Sequence, residues 1–348
     1  MNAKSITQLR LVVQGIHHPT TTKVEDVVRK FGAVQAQDYY GALWGIGLRM
    51  KSATEKSVEK AIADKKIVRS WPMRGTLHFT TADDLRWMLT YLAPRIIKRA
   101  ASVHRQVELD AKTFRKSSTI VERALEGGKQ LTREELYAFL EKSKIKTDNS
   151  RGLHILGYLA HEKLICLTTR KGKQHRFALL DEWLPASDIP TLDEALAELA
   201  RRYFTGHGPA SINDFTWWTG LTLTEARRGL SIVESELQKI EVDGETFWMS
   251  KNVDEVKPFK SAYLLPAYDE YTVAYKDRSH LLDPAHATKA RNGIFNPVIV
   301  VDGKIAGTWK RTLNRERVSI GKELFKKNIP SLAKAEKAYG KFLGLSVD

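Results

Sequence analysis

The chain has 348 residues, 42% hydrophobic and 28% charged, which describes a folded protein and excludes a disordered one. Its 56 Lys and Arg against 41 Asp and Glu leave a formal charge of +15, so an acidic partner is expected, either a phosphate backbone or an anionic membrane surface. No apolar run approaches the ~18 residues of a membrane span, and Met1 to Leu11 lacks the apolar core of a secretion signal, so no membrane partner and a cytoplasmic location are expected. The single Cys166 permits neither an internal disulfide nor a cysteine-based zinc site and reads as a buried, inert thiol.

At this length two to four compact units are expected. The first, residues 1–108, opens with Ser5-Ile6-Thr7-Gln8, a capping-box pattern leading a helix to about Gln14, and Thr22-Lys23-Val24-Glu25 repeats that signal. An aromatic-rich stretch from Asp38 to Met50 and a helix near Glu55 to Asp64 follow. The period then changes. Ile67 to Pro72 and Thr76 to Thr80, around Met73-Arg74-Gly75, read as a hairpin, and an amphipathic helix runs from Ala82 to about Val107.

In residues 109–188, Thr132-Arg133-Glu134-Glu135 predicts a capped helix with Leu136, Phe139 and Leu140 inward. Ser150 starts a second helix whose stripe is Leu153, Leu156, Gly157, Ala160 and Leu164. A hairpin follows, Leu164 to Thr169 and His175 to Leu180, flanking Arg170-Lys171-Gly172-Lys173, a turn whose three cations no core requires. Helices followed by such a hairpin are the layout of a winged helix-turn-helix. Residues 189–252 repeat it, with an apolar stripe at Leu192, Ala195, Leu196 and Leu199, helix starts at Ser211 and Thr222, and a turn at Val242-Asp243-Gly244-Glu245. From about Lys257, within residues 253–348, the character becomes β. Strands at Ala262 to Ala267, Pro297 to Val301 and Lys304 to Thr312 suggest a small sheet or barrel, closed by a helix from Ser331 to about Phe342. The class is therefore α+β, three tandem winged-helix units and a C-terminal β-domain, with no Pro/Gly/Ser-rich linker between them.

Most catalytic signatures are missing: there is no phosphate-binding loop, dinucleotide glycine pattern, G-x-S-x-G or H-E-x-x-H. His17 and His18 are adjacent and followed by Pro19, and His154 and His161 sit seven apart on a predicted helix without a carboxylate in register, so no metal is expected. His154, Tyr158 and His161 share one helical face, either solvated or turned to DNA. The segment that stands out is Gly32 to Tyr40. Gln35 and Gln37 diverge by about 200° on a helix and converge only on an extended chain, which Gly32 would permit by interrupting the helix.

Gln35-Ala36-Gln37, the run Ser70 to His78, the run Leu265-Pro266-Ala267-Tyr268-Asp269-Glu270-Tyr271 and Gly307-Thr308-Trp309, in this order and spanning nearly the whole chain, resemble the AlkZ/YcaQ family of bacterial DNA glycosylases. That resemblance implies three tandem winged helices forming a C-shaped cradle with a C-terminal β-domain. It also implies removal of alkylated purines, notably N7-alkylguanines, with interstrand crosslinks unhooked by some members. The family's catalytic signature is Gln-aliphatic-Gln in one branch and Gln-aliphatic-Asp in the other, so Gln35 and Gln37 match the first, with a small Ala36 between them. Asp38 follows the motif and is not its third residue.

An N7-alkylated guanine is already cationic and leaves without a strong acid, so two amides suffice if they hold a water under the sugar carbon. Double-stranded DNA carrying alkylated bases is the expected partner of a monomer that uses no cofactor, metal or nucleotide. A lyase step is not expected, since no Lys lies in Gln35 to Tyr40. Arg74, at a turn, and Arg170, Lys171, Lys173 and Arg176, on the basic wing, are expected on phosphates. Trp71 and His78 read first as core or structural residues, and the resemblance adds a role in supporting the site as the alternative. Asp269 either polarises a glutamine or a water, or pairs with Lys276 or Arg278. A transcription regulator or a silent DNA-binding protein would share the charge and hairpins, and only release of a free base separates them from the enzyme.

Overall fold

The computed structural model describes residues 3–253, 256–290 and 294–348. The chain divides into two compact units, Met1–Val58 with Leu196–Asp348, and Glu59–Ala195.

In the Glu59–Ala195 unit, strands Ile67–Met73 and Thr76–Thr81 pair with Ser70 opposite His78. Arg74 and Gly75 both take positive φ (54° and 80°), the mirror-image turn whose twist matches that of paired strands. The helix Ala82–Gln106 follows, then Ala111–Leu125, capped by the Asp110 carboxylate, which accepts the Thr113 N–H at 2.7 Å. The capping box at Thr132 and Glu135 forms as predicted and starts Arg133–Lys142. After the helix Arg151–His161 come strands Ile165–Lys171 and Gln174–Leu179. The strands of this unit lie in one sheet, in the order Thr76–Thr81, Ile67–Met73, Ile165–Lys171, Gln174–Leu179, Leu131–Thr132. Its core joins Leu136, Leu140, Ile155, Leu156, Leu159 and Phe177. Cys166 is fully buried beside Val68 and Leu85, and its thiol is pushed up to about 12 by burial.

Three expected apolar-stripe positions are corrected. Phe139, Leu153 and Leu192 are 44%, 51% and 39% exposed. The stripe of Arg151–His161 is Gly152, Ile155, Leu156, Leu159 and Ala160, a frame rotated by about one residue, because Ile155 and Leu159 must both be covered. Three caps also differ. The first helix is Ala3–Val13, so it begins ahead of Ser5; Thr22 gives way to Lys23, which makes no side-chain cap; and Ser150 sits in the left-handed region without capping.

In the other unit, Tyr39–Leu48 carries no charge and is buried nearly all round, as a helix without a polar face must be. Ser211 with Asp214, and Thr222 with Glu225, form capping boxes on Ile212–Thr219 and Leu223–Val233. Strands Leu237–Val242 and Glu245–Ser250 turn at Asp243 and Gly244, again with both φ positive. A five-stranded sheet follows in the order Ser346–Val347, Arg317–Leu324, Lys304–Leu313, Val298–Val301, Ala262–Leu265, with the helix Ala333–Leu343. Arg317–Leu324 was not expected as a strand, since most of its side chains are polar and largely exposed. Among the described residues no helix is long and apolar enough to cross a membrane.

Gly229, inside Leu223–Val233, shows which of two opposing effects dominates. Alanine would raise helix propensity by up to about 1 kcal/mol, but a Cβ would lie 2.5 Å from the Leu196 carbonyl oxygen, a backbone atom that cannot swing away. Gly229→Ala is expected to destabilise the protein by about 1–3 kcal/mol in a urea titration; a gain would show that this helix and Leu192–His207, which carries Leu196, can part freely.

Candidate functional site

The helix Val24–Phe31 ends at Gly32, whose φ of 78° turns the chain into the short strand Val34–Gln35. The helix is therefore interrupted before the glutamines, as their convergence requires. Beyond them Asp38 caps the helix Tyr39–Leu48 by accepting the Gly41 N–H at 3.2 Å, which occupies its carboxylate. Gln35 is 9% exposed, Ala36 is fully buried and Gln37 is exposed.

Gln35 is held from behind. Its backbone N–H donates to Glu270 Oε1 at 2.7 Å, and Glu270 Oε2 accepts from Trp218 Nε1 at 3.0 Å and His207 Nε2 at 3.1 Å. Burial keeps the His207 imidazole below its usual pKa, opposed by the bond to Glu270, so the ring donates as a neutral group. Glu270 thus has three donors at a position only 2% exposed, which is how a buried carboxylate is satisfied. The side-chain Oε1 of Gln35, in contrast, is buried and has no hydrogen-bond partner. A buried acceptor left open in this way suits a water or a substrate donor.

Asp269 pairs neither with Lys276 nor with Arg278. It accepts two hydrogen bonds from Arg49, at 2.7 and 2.9 Å, in a pair whose side chains are 4% and 1% exposed. Arg49 also donates to Gly45 O and Gln14 Oε1, both at 2.7 Å, and Gln14 donates to the Tyr275 hydroxyl at 3.0 Å. Asp269 in turn caps the short helix Glu270–Val273 through the Tyr271 N–H. Arg49 thereby fixes Asp269, Asp269 fixes the turn that carries Glu270, and Glu270 fixes Gln35. Trp44 and Trp309 add to this frame by donating to Leu264 O and Leu265 O, each at 2.8 Å. Glu270, Arg49, His207 and Trp218 were not singled out from sequence. The available signals were a second acid beside Asp269 between tyrosines, and an arginine directly after a helix with no polar face, which needs a partner if it is buried.

Trp71, Arg74 and His78 lie in the Glu59–Ala195 unit. His78 is fully buried, with Nδ1 at 2.8 Å from Thr76 O and Nε2 at 3.5 Å from Arg74. Trp71 is half-buried against the core and lines a cavity of about 280 Å³ with Leu153, Lys173 and His175. On the basic wing Arg170 pairs with Glu59, Lys171 with Glu135 at 3.2 Å, and Arg176 bonds Thr169, while Lys173 is exposed. The expected polar face of the helix Arg151–His161 is partly packed: Tyr158 stacks on Phe114 at 3.9 Å, and His154 meets His104 edge-on at 5.5 Å.

Burial pushes His161 down to about 4 and His175 to about 3. Each is neutral in the fold but protonates near 6.5 when unfolded, so the unfolded chain binds more protons below that pH. Their contribution to stability is complete above about pH 6.5 and is lost as the pH falls toward 4 and then 3. The thermal midpoint is expected to drop between pH 7 and pH 4.5, less steeply in His161→Gln/His175→Gln. Equal slopes would mean that neither ring is buried as described.

A protein-family model described as "DNA glycosylase AlkZ-like" matches residues 28–342. The interstrand DNA cross-link repair glycosylase of Streptomyces sahachiroi is 26% identical over 330 residues, covering 86% of this chain and 85% of that protein. The solved structure of the Streptomyces sahachiroi DNA glycosylase AlkZ superposes with a TM-score of 0.82, covering 100% of this chain and 99% of that one at 22% identity, a likeness of fold.

Proposed function

Since the chain belongs to the AlkZ-like DNA glycosylase family, we propose that it hydrolyses the N-glycosidic bond of alkylated purines, N7-alkylguanine above all, using a water held by Gln35 and Gln37. The observation that carries this reading is the buried, unpartnered Oε1 of Gln35 on a segment braced by Glu270. Gln35 supplies a fixed acceptor at depth, and the exposed Gln37 supplies the amide nearer solvent. The water adds to C1′ as the bond to N9 breaks. The bond's electron pair neutralises the cationic purine, which leaves as the free base, and the water's proton passes to solvent. Little acid-base strength is required, and the chemistry depends on placement and on dipoles facing the developing sugar cation.

The three helix-then-hairpin segments act as winged helices on duplex DNA, with Arg74 and the wing from Arg170 to Arg176 on phosphates. Trp71 and His78 shape the hairpin that carries Arg74. Lys171 and Arg170, paired with carboxylates in the free protein, exchange those partners for phosphates, whereas Lys173 does so without breaking a pair. Neutralising Lys173 is expected to weaken binding alike on all sequences and to lower the log-log salt slope by roughly 0.9. An unchanged slope in both Lys171→Ala and Lys173→Ala removes the wing from the interface. The name of the Streptomyces relative extends the proposed substrates to interstrand crosslinks.

The test is duplex DNA holding one N7-methylguanine, incubated with the protein in EDTA and then with alkali. Alkali-dependent cleavage is expected from a monomeric, metal-independent, monofunctional enzyme. Binding without cleavage on this duplex and on a crosslinked one would refute the reading.

A further inference from the structure

The unit that holds the glutamines has a second concavity. The helix Tyr39–Leu48 starts just past Gln37 and spans about 15 Å, and at its far end Gly47 and Leu48 enter the wall of a cavity of about 590 Å³. Among the described residues six basic side chains line it, His17, His18, Lys51, Lys260, Lys334 and Lys341, and no carboxylate does. Outside the lining, Asp302 engages Lys260 at 3.3 Å and the Ser261 N–H at 2.7 Å. Ser261, also in the lining, is 9% exposed and its hydroxyl has no hydrogen-bond partner. The remaining walls are largely apolar, with Trp44 and Phe342 packed at 5.2 Å. His17 stacks on Phe259 at 3.7 Å, with its Nδ1 at 2.8 Å from the Tyr263 hydroxyl. Burial above all, with the nearby His18 and Lys334, lowers the His17 pKa.

Four lysines of which only Lys260 has a carboxylate described beside it, a buried hydroxyl without a hydrogen-bond partner and apolar walls, in a volume typical of small-ligand sites, fit a ligand that joins a phosphate to a flat ring. We infer that this cavity binds a nucleotide, with its phosphate between Lys334, Lys341 and His18 and its base toward the Trp44 wall. The nucleotide comes either from solution or from a DNA strand lying past the glutamines. Binding of a nucleotide here does not depend on the glycosylase reading, because it concerns the other end of the helix; only the DNA-strand source rests on that reading.

Calorimetric titration of the whole protein with dGMP, deoxyguanosine and a 5′-phosphorylated tetranucleotide tests it. Saturable dGMP binding is expected, at least about tenfold tighter than deoxyguanosine. It should weaken by about tenfold in Lys334→Ala/Lys341→Ala, and equally in Ala338→Trp, which fills the cavity at an exposed helix position without removing charge. Gln35→Ala/Gln37→Ala should bind as the wild type does. A tetranucleotide that binds about tenfold tighter than dGMP assigns the site to a DNA strand, and equal affinity assigns it to free nucleotide. No saturable binding of either, no preference for the phosphate, or no effect of Ala338→Trp overturns the inference.

Discussion

Arg49→Met is expected to cost about 3–5 kcal/mol of stability. Arg49 is 3% exposed and its guanidinium makes four hydrogen bonds, two of them to Asp269. Removing it leaves a buried carboxylate without its counter-ion, and that desolvated charge outweighs the modest net value of the lost hydrogen bonds. In Arg49→Met/Asp269→Asn the stranded charge is gone, so part of the loss should return, although Asn still caps Tyr271 N–H less strongly. Chemical denaturation of the wild type, the single and the double variant checks this. A double variant less stable than Arg49→Met would show that the pair is not what burial makes costly. Because Asp269 adjoins Glu270, the single variant should also loosen Gln35 and slow base release beyond what partial unfolding explains.

Gln35→Ala and Gln37→Ala should each lower the single-turnover rate of base release by about 10²–10³, or ~3 kcal/mol, with DNA affinity little changed. Gln35 is the more constrained of the two, with its N–H on Glu270 and its side-chain oxygen buried. A pre-set acceptor costs no reorganisation as charge develops on the sugar, and alanine leaves only mobile water in its place. Gln35→Glu separates placement from charge. It keeps the length but puts a carboxylate in a buried position, where desolvation penalises the ion, so it should rescue little. Full activity in both single alanine variants would rule out the amide mechanism.

Local chemistry was legible in the sequence wherever neighbours along the chain decide the structure. Thr132 and Thr222 with a glutamate three residues on form their capping boxes, and the Arg74-Gly75 and Asp243-Gly244 turns fall where positive φ is needed. The break at Gly32 placed Gln35 and Gln37 off the helix. Frame was less legible. Leu153 and Phe139 fit an apolar stripe as well as Ile155 and Leu159 do, and only packing chose between them. The brace behind the glutamines was hidden for a different reason. Glu270 meets Gln35 across 235 positions and Asp269 meets Arg49 across 220, distances over which no spacing rule operates. For the same reason no spacing along the chain reveals that Glu59 and Glu135 pair with cations of the wing.

The most direct test of the central claim is single-turnover release of N7-methylguanine from duplex DNA in EDTA, measured together with DNA binding, for the wild type and the Gln35→Ala/Gln37→Ala variant. The account predicts free base and an abasic site from the wild type, with a variant that binds the duplex but releases base at the spontaneous rate. Equal rates from the two proteins would contradict it.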